Sequence, residues 1–292
     1  MHSCGLIDMH DSDILWLFKW ATSTIHHTSV SQADKQHHHS TSAIANYEDM
    51  PKGLYFLLFC CSVTAYVYGD WENIPGGLTH VTASVNYLWG VNSADQIYKC
   101  ARPCNGQNWV HVAGALRQVD ADDHELWGVN SAYHIYKRPV DGSGSWTQVS
   151  GLLKHVSASG NGYIWGVNSN DNIYKCKKPC SGSWVQVSGS LKQIDGGHAY
   201  VYGVNSADNI YVRPVDGSGS WRHIPGRLRH ITASGKSEVF GTNAHGYIYR
   251  CKKLCTGEWE KMEGNLKQCD ATFNSIVGVT TSSAIYRRHT GI

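Results

Sequence analysis

Between residues 71 and 292 no repeat unit sustains an apolar stripe at i, i+3 and i+4 along a stretch of 12 residues. Amphipathic helices are therefore excluded as the main building material. The sequence has no H-E-x-x-H, no G-x-S-x-G and no phosphate-cradling glycine loop, which removes the common metallopeptidase, hydrolase and nucleotide-handling arrangements. No Asn-x-Ser/Thr sequon occurs from residue 66 onward, so an N-linked glycan is not expected there. The apolar run from Leu54 to Val63 is too short to cross a bilayer comfortably, and no transmembrane segment is expected. Extreme charge is missing too. From residue 66 onward 22 Lys plus Arg face 17 Asp plus Glu, a net of +5, and nucleic acid is not an expected partner.

What is present is repetition. "WGVNSADQIYKC" from Trp89 returns as "WGVNSAYHIYKR" from Trp127 and "WGVNSNDNIYKC" from Trp165. Six units open on Trp71, Trp109, Trp146, Trp184, Trp221 and Trp259, at spacings of 38, 37, 38, 37 and 38 residues. Inside a unit the apolar residues alternate over short runs, as at Val110 and Val112, and turn residues such as Gly114 and Asn130-Ser131-Ala132 separate them. That is a strand pattern, about four strands per unit. A propeller, an open solenoid and a row of sandwiches all fit such a repeat. The period, the strand number and the tryptophan in every unit favour the propeller, and neither end of the array carries a polar cap. The expected fold is all-β: a six-bladed β-propeller of four-stranded antiparallel blades, with the strand near Trp71 closing the last blade.

The true period is a doublet of 75 residues. Odd units end in cysteine pairs, Cys100 with Cys104, Cys176 with Cys180 and Cys251 with Cys255; units 2 and 4 carry "RPVDGSGSW" from Arg138 and Arg213 instead. As zinc ligands the pairs would have to meet, and a propeller holds them on separate blades. As local disulfides each closes a short loop, contributing about 2 kcal/mol. Cys269 replaces a core Val or Ile and is expected to be buried, reduced and inert. The "DGSGS" stretches lack the carboxylate spacing and closing Glu of a calcium loop.

Residues 1–70 lie outside the repeat. Residues 50–65, "MPKGLYFLLFCCSVTA", combine a basic start, an apolar run and small Ala65 at the end, the pattern of a secretory signal peptide. Residues 1–49 hold seven of the 17 histidines, including the "QHHHS" run from Gln36. They read as a spurious upstream extension or a disordered one, and the run lacks the spacing that specifies a metal site. The mature domain is expected to span 66–292.

No nucleophile, acid–base pair or cofactor motif stands out, so no catalytic residue, metal or cofactor is assigned and the protein is not expected to be an enzyme. His80, His155 and His230 alternate with Gln118, Gln193 and Gln268 at one position, an exchange that suits hydrogen bonding and not general-base chemistry. Recurring residues without an evident core role are the binding candidates. Asn92, Asn130, Asn168, Asn205 and Asn243 either close turns or contact ligand. Lys99, Lys137, Lys175, Arg213 and Arg250 follow the "IY" strand, and Arg117, Lys154, Lys192, Arg229 and Lys267 precede the His/Gln position. Singly each is a solvated surface charge; together they form a circular array suited to an anionic, repetitive partner. Tyr98, Tyr136, Tyr174, Tyr211, Tyr249 and Tyr286 alternate with Ile and read first as packing.

"WGVNS", "YKRPVDGSGSW" at Tyr136–Trp146, "KHVSASGNGYIWGVNSNDNIYKC" at Lys154–Cys176 and "LKQCDAT" at Leu266–Thr272 carry a resemblance. From Trp71 to the end the chain resembles the tectonin-type tachylectins of horseshoe crabs and, more distantly, fish-egg lectins. The resemblance implies a secreted lectin of innate immunity, in body fluid or blood-cell secretory granules. It implies binding to bacterial lipopolysaccharide and related surface glycans through the acidic core sugar and phosphates, with antibacterial agglutination. Other immune lectins or pentraxin-like proteins are further implied partners. The competing reading is a non-enzymatic structural or protein-docking propeller. Unit 1 departs with "LTH", and unit 6 with "GVTTSS", where loss of a site is expected.

Overall fold

The computed structural model describes residues 70–290 apart from 106–107, 159–160, 234–237, 253–254 and 273. The extension 1–49 and the leader 50–65 expected from sequence lie outside the described residues. Every regular element among the described residues is a strand. After β1 (Glu72–Ile74), blade 1 is built from β2 (His80–Ala83), β3 (Tyr87–Val91), β4 (Gln96–Ala101) and β5 (Trp109–Ala115). Blade 2 follows with β6 (Gln118–Ala121), β7 (Glu125–Val129), β8 (His134–Pro139) and β9 (Thr147–Leu152). Blade 3 has β10 (His155–Ser157), β11 (Tyr163–Val167), β12 (Asn172–Lys177) and β13 (Val185–Ser190). Blade 4 has β14 (Gln193–Gly196), β15 (Tyr200–Val204), β16 (Asn209–Pro214) and β17 (Arg222–Arg227). Blade 5 has β18 (His230–Ala233), β19 (Val239–Thr242), β20 (Tyr247–Cys251) and β21 (Trp259–Asn265). Blade 6 has β22 (Gln268–Ala271), β23 (Ser275–Val279) and β24 (Ile285–His289), and β1 supplies its outer strand.

The blades are antiparallel meanders, and the inner strands β2, β6, β10, β14, β18 and β22 succeed one another around a closed ring. The sequence repeat and the blade are offset, because each opening tryptophan stands at the outer strand of one blade and its unit continues into the next. The closure is a three-strand-plus-one seam. β1 pairs antiparallel with β24, and Glu72 accepts a hydrogen bond from Arg287 at 2.7 Å. That guanidinium holds the Glu72 carboxyl below its ordinary range.

The repeated tryptophans explain how the ring holds its circumference. Nε1 of Trp109, Trp146, Trp184, Trp221 and Trp259 each donates to a carbonyl on the outer strand of the preceding blade or the segment just after it, at 2.8–3.0 Å. Trp71 completes the belt across the chain ends by donating to the Glu263 carbonyl at 2.8 Å. The glycine of G-V-N is demanded by close approach. A Cβ on Gly90 would lie 2.4 Å from Leu78 Cδ1 and 2.7 Å from the His80 carbonyl oxygen. Between blades sit Trp89, Trp127, Trp165, Tyr202, Phe240 and Val277, all buried.

All three local disulfides form, Cys100–Cys104, Cys176–Cys180 and Cys251–Cys255, and Cys269 is free and buried. Burial and nearby carboxyls push its thiol pKa up, which keeps it protonated and unreactive. Units 2 and 4 fasten the same connection with an arginine at the first-cysteine position. Arg138 donates to the Gly142 and Gly144 carbonyls, and Arg213 Nε donates to the Ser218 carbonyl at 3.3 Å. A covalent staple and a guanidinium staple thus alternate around the ring.

Candidate functional site

The inner strands carry a layered polar axis. At the first position of β6, β14 and β22, Gln118, Gln193 and Gln268 clasp the neighbouring blade by both ends of the amide. Each Oε1 accepts from the N–H of Val156, Ile231 or Val81 at 3.0 Å, and each Nε2 donates to the carbonyl of the same residue at 2.8 Å. Two residues further along stand Asp120, Asp195 and Asp270. They accept from the hydroxyls of Thr82, Ser157 and Thr232 and from the N–H groups of Ala158, Ala233 and Ala83, the latter at 2.6–2.8 Å. Each blade joint is therefore hydrogen-bonded through side chains that the doublet supplies alternately: Gln and Asp from even units, Thr or Ser from odd ones.

Odd units place His80, His155 and His230 at the Gln level. Their rings meet edge to face around the axis, with centroids 6.1–6.3 Å apart. As whole residues they are partly exposed, yet the ring nitrogens are hidden. Burial, together with the neighbouring imidazoles and lysines, lowers their pKa values, to about 3 for His155 and His230. They are neutral at physiological pH. Burial raises all three carboxyls, and repulsion from neighbouring carboxyls adds to it at Asp120 and Asp195, taking Asp195 to about 7.

Two faces flank this axis. On the face where the inner strands begin lie the turns that follow G-V-N. Asn92, Asn130, Asn168, Asn205 and Asn243 each use Oδ1 to accept two backbone N–H groups, two and four residues ahead, at 2.9–3.0 Å. Thr280 does so in part, accepting from Ala284 N–H at 3.1 Å. The turn-closing role is thus filled by Oδ1. Beside these turns run the cations that precede the His/Gln position. Arg117 N–H bonds the Val129 carbonyl, Arg229 N–H that of Thr242 and Lys267 N–H that of Val279, so each abuts the turn residue Asn130, Asn243 or Thr280. These three side chains are exposed. Lys154 and Lys192 are partly buried and ion-paired with Asp171 and Asp208 in their own turns.

The opposite face holds the loops between inner and second strands and the disulfide connections. A cavity of about 520 Å³ opens there, with Ser84, Asp122, Asp123, His124, Lys178 and His198 among its walls. The "IYK" cations reach toward this face. Lys99 donates to the Asp141 carbonyl at 2.7 Å and lies 5.1 Å from the Tyr87 ring centre. Lys175 repeats this with Asp216 and Tyr163. Lys137 pairs with Glu125 at 2.9 Å, and Arg250 pairs with Glu238.

The family model described as the tectonin domain matches this chain over residues 61–218, 103–256 and 190–292. The chain belongs to the tectonin family. It is 68% identical over 218 residues to a protein named Lectin L6 from Tachypleus tridentatus, an overlap of 75% of this chain and 99% of that one. Solved structures share the propeller fold at low identity. YCF48 from Cyanidioschyzon merolae is 16% identical with a TM-score of 0.50, covering 76% of this chain and 85% of that one. Human WBSCR16 is 8% identical with a TM-score of 0.51, covering 72% and 76%.

Within this tectonin ring the sequence-derived candidates do not converge on one spot. The five asparagines and Lys154 share the turn face, whereas toward the other face Lys99 and Lys175 reach the connection of the next blade, Lys137 and Arg250 pair within their own blades, and Arg213 bonds its own connection. The six "IY" tyrosines are partly buried and pack against the blade cores. Sequence reasoning missed the aspartate trio. Its signal was present in the alternation of "QVDA", "QIDG" and "QCDA" with "HVTA", "HVSA" and "HITA", which sets carboxyl and hydroxyl side chains alternately around the axis.

The axis makes stability depend on pH. A carboxyl whose folded pKa is raised holds a proton that the unfolded chain has released, so its contribution is complete below its unfolded value. That contribution is lost as pH rises through the folded one, about 7 for Asp195. The histidines act oppositely: their lowered values contribute stability above about 6.5, lost as pH falls toward 3. Below pH 6.5 the two trios offset each other; above it the carboxyls act alone. The urea midpoint is therefore expected to fall between pH 6.5 and 8.5, and Asp195→Asn to make that fall shallower.

Proposed function

We propose that this tectonin propeller is a secreted, multivalent lectin for bacterial envelope glycans. Lipopolysaccharide is its main target, engaged through the acidic core sugar and phosphates in innate immune recognition. The observation that carries the reading is the 68% identity to Lectin L6 across 99% of that protein. The turn face supports it chemically. Arg117, Arg229 and Lys267 stand exposed beside turns whose shape Asn130, Asn243 and Thr280 already fix, so cation and turn are presented together without reorganisation. Carboxylate and phosphate groups meet such cations through charge-assisted hydrogen bonds. Each shallow site binds weakly. Several engaged at once on a bacterial surface raise apparent affinity by about 10²- to 10⁴-fold.

Secretion of residues 66–292 behind the 50–65 leader belongs to the same proposal. The three disulfides favour it, since such bonds persist in oxidising compartments. The test is binding to immobilised lipopolysaccharide with free sugars as competitors. The acidic core sugar is expected to inhibit and neutral hexoses to inhibit less. Binding that no sugar inhibits would favour a protein-docking propeller.

A further inference from the structure

Along the axis of the ring the accounting of polar groups closes everywhere but at one level. The three glutamine amides are bonded at both ends, and the three aspartates accept from hydroxyl and backbone donors. At the histidine level, Nδ1 and Nε2 of His80, His155 and His230 are all buried and have no hydrogen-bond partner. Buried polar atoms without partners are rare, and a cluster of them asks for a missing group.

We propose that His80, His155 and His230 bind one divalent first-row transition ion, zinc by preference, on the axis of the propeller. One donor atom from each histidine lies within 4.8 Å of the others. Around a zinc ion with Zn–N bonds of about 2.0–2.1 Å the donors would stand about 3.3 Å apart. Binding would require the rings to turn about their side-chain torsions to bring the donors together, while the strand backbones at the start of β2, β10 and β18 stay in place. The cavity between them and the Gln and Asp layers is about 10 Å³, room for one ion or one water and not for a sugar. Three imidazoles select zinc, copper, nickel or cobalt over calcium or magnesium. Asp120, Asp195 and Asp270 border the same cavity with their carboxyl groups. Among the lysines nearest the trio, Lys154 and Lys192 are already paired with Asp171 and Asp208. The ion would tie blades 1, 3 and 5 together at the axis, where the glutamines of blades 2, 4 and 6 already clasp the joints.

The proposal is independent of glycan binding. The experiment uses the full chain, stripped with chelator and titrated with zinc, and in parallel with cobalt(II) followed by visible absorption. The comparison is the triple variant His80→Gln, His155→Gln, His230→Gln, which installs the residue that even blades carry at this position. The His37–His39 run is present in both proteins, so its contribution cancels. The wild type is expected to take up one more zinc per chain than the variant and to show the intense visible bands of a low-coordinate cobalt site, absent from the variant. Should the triple variant not fold, His155→Gln serves with melting temperature as the readout. At zinc a hundredfold above its dissociation constant the wild type is expected to gain about 5 °C or more, and the single variant clearly less. Equal stoichiometry with equal cobalt spectra, or an equal thermal shift in wild type and single variant, overturns the proposal.

Discussion

Trp165→Ala is expected to destabilise the propeller by about 3–5 kcal/mol, the range for removing a large aromatic side chain from a packed core. Trp165 is fully buried between blades, donates Nε1 to the Val215 carbonyl at 3.0 Å and meets Trp221 edge to face at 6.3 Å. Alanine would leave a cavity between two sheets whose backbones are fixed by inner clasps and the outer tryptophan belt, so collapse around it is restricted. At roughly 2–4 °C per kcal/mol for a domain of this size, the melting temperature should fall by about 6–20 °C. Trp165→Phe should cost clearly less, because blade 5 uses Phe240 at the equivalent position. Equal losses for the two variants would mean that the indole hydrogen bond, and not the filled volume, holds the joint.

The triple variant Arg117→Ala, Arg229→Ala, Lys267→Ala is expected to weaken apparent affinity for lipopolysaccharide surfaces about a hundredfold, within the gain that multivalency supplies. These three cations are exposed, lie beside turns and have no carboxylate partner among the ion pairs of the described residues. The control is Lys154→Ala with Lys192→Ala. It breaks two internal ion pairs, each worth about 0–1 kcal/mol to stability, and should change binding by no more than about threefold. The remaining affinity of the triple variant should depend less on salt, since screening acts on charges that are no longer there. Unchanged binding in the triple variant, measured on the same surface, would move the recognition site to the opposite face.

Much of the fold could be read from the repeat itself. Spacing fixed six units, alternation fixed strands, and the unpartnered strand at Trp71 pointed to the seam with β24. The local disulfides followed from the short C-x-x-x-C loops, which a propeller keeps on separate blades where they cannot share a zinc ion. Less was legible where one residue type serves two ends. An asparagine after G-V looks the same whether its amide closes a turn or meets a sugar; the turn needs Oδ1 specifically, and only coordinates place the two N–H donors. Lys99 and Lys154 are equally basic in sequence. Strand register carries one to a carbonyl in the connection of the next blade and leaves the other near the axis with Asp171. The histidine trio was legible as a hydrogen-bonding alternative to glutamine. Its convergence on one axis depends on ring closure and on which blades are odd, a property of the assembled doublets and not of any single unit.

The proposed recognition is distributed over several blades. Isothermal calorimetry with a soluble, lipid-free core oligosaccharide bearing the acidic sugar tests that directly, because monomeric ligand removes avidity and counts sites. More than one weak site per chain is predicted, with the number falling in the Arg117/Arg229/Lys267 variant. A single site per chain, unchanged in that variant, would contradict it.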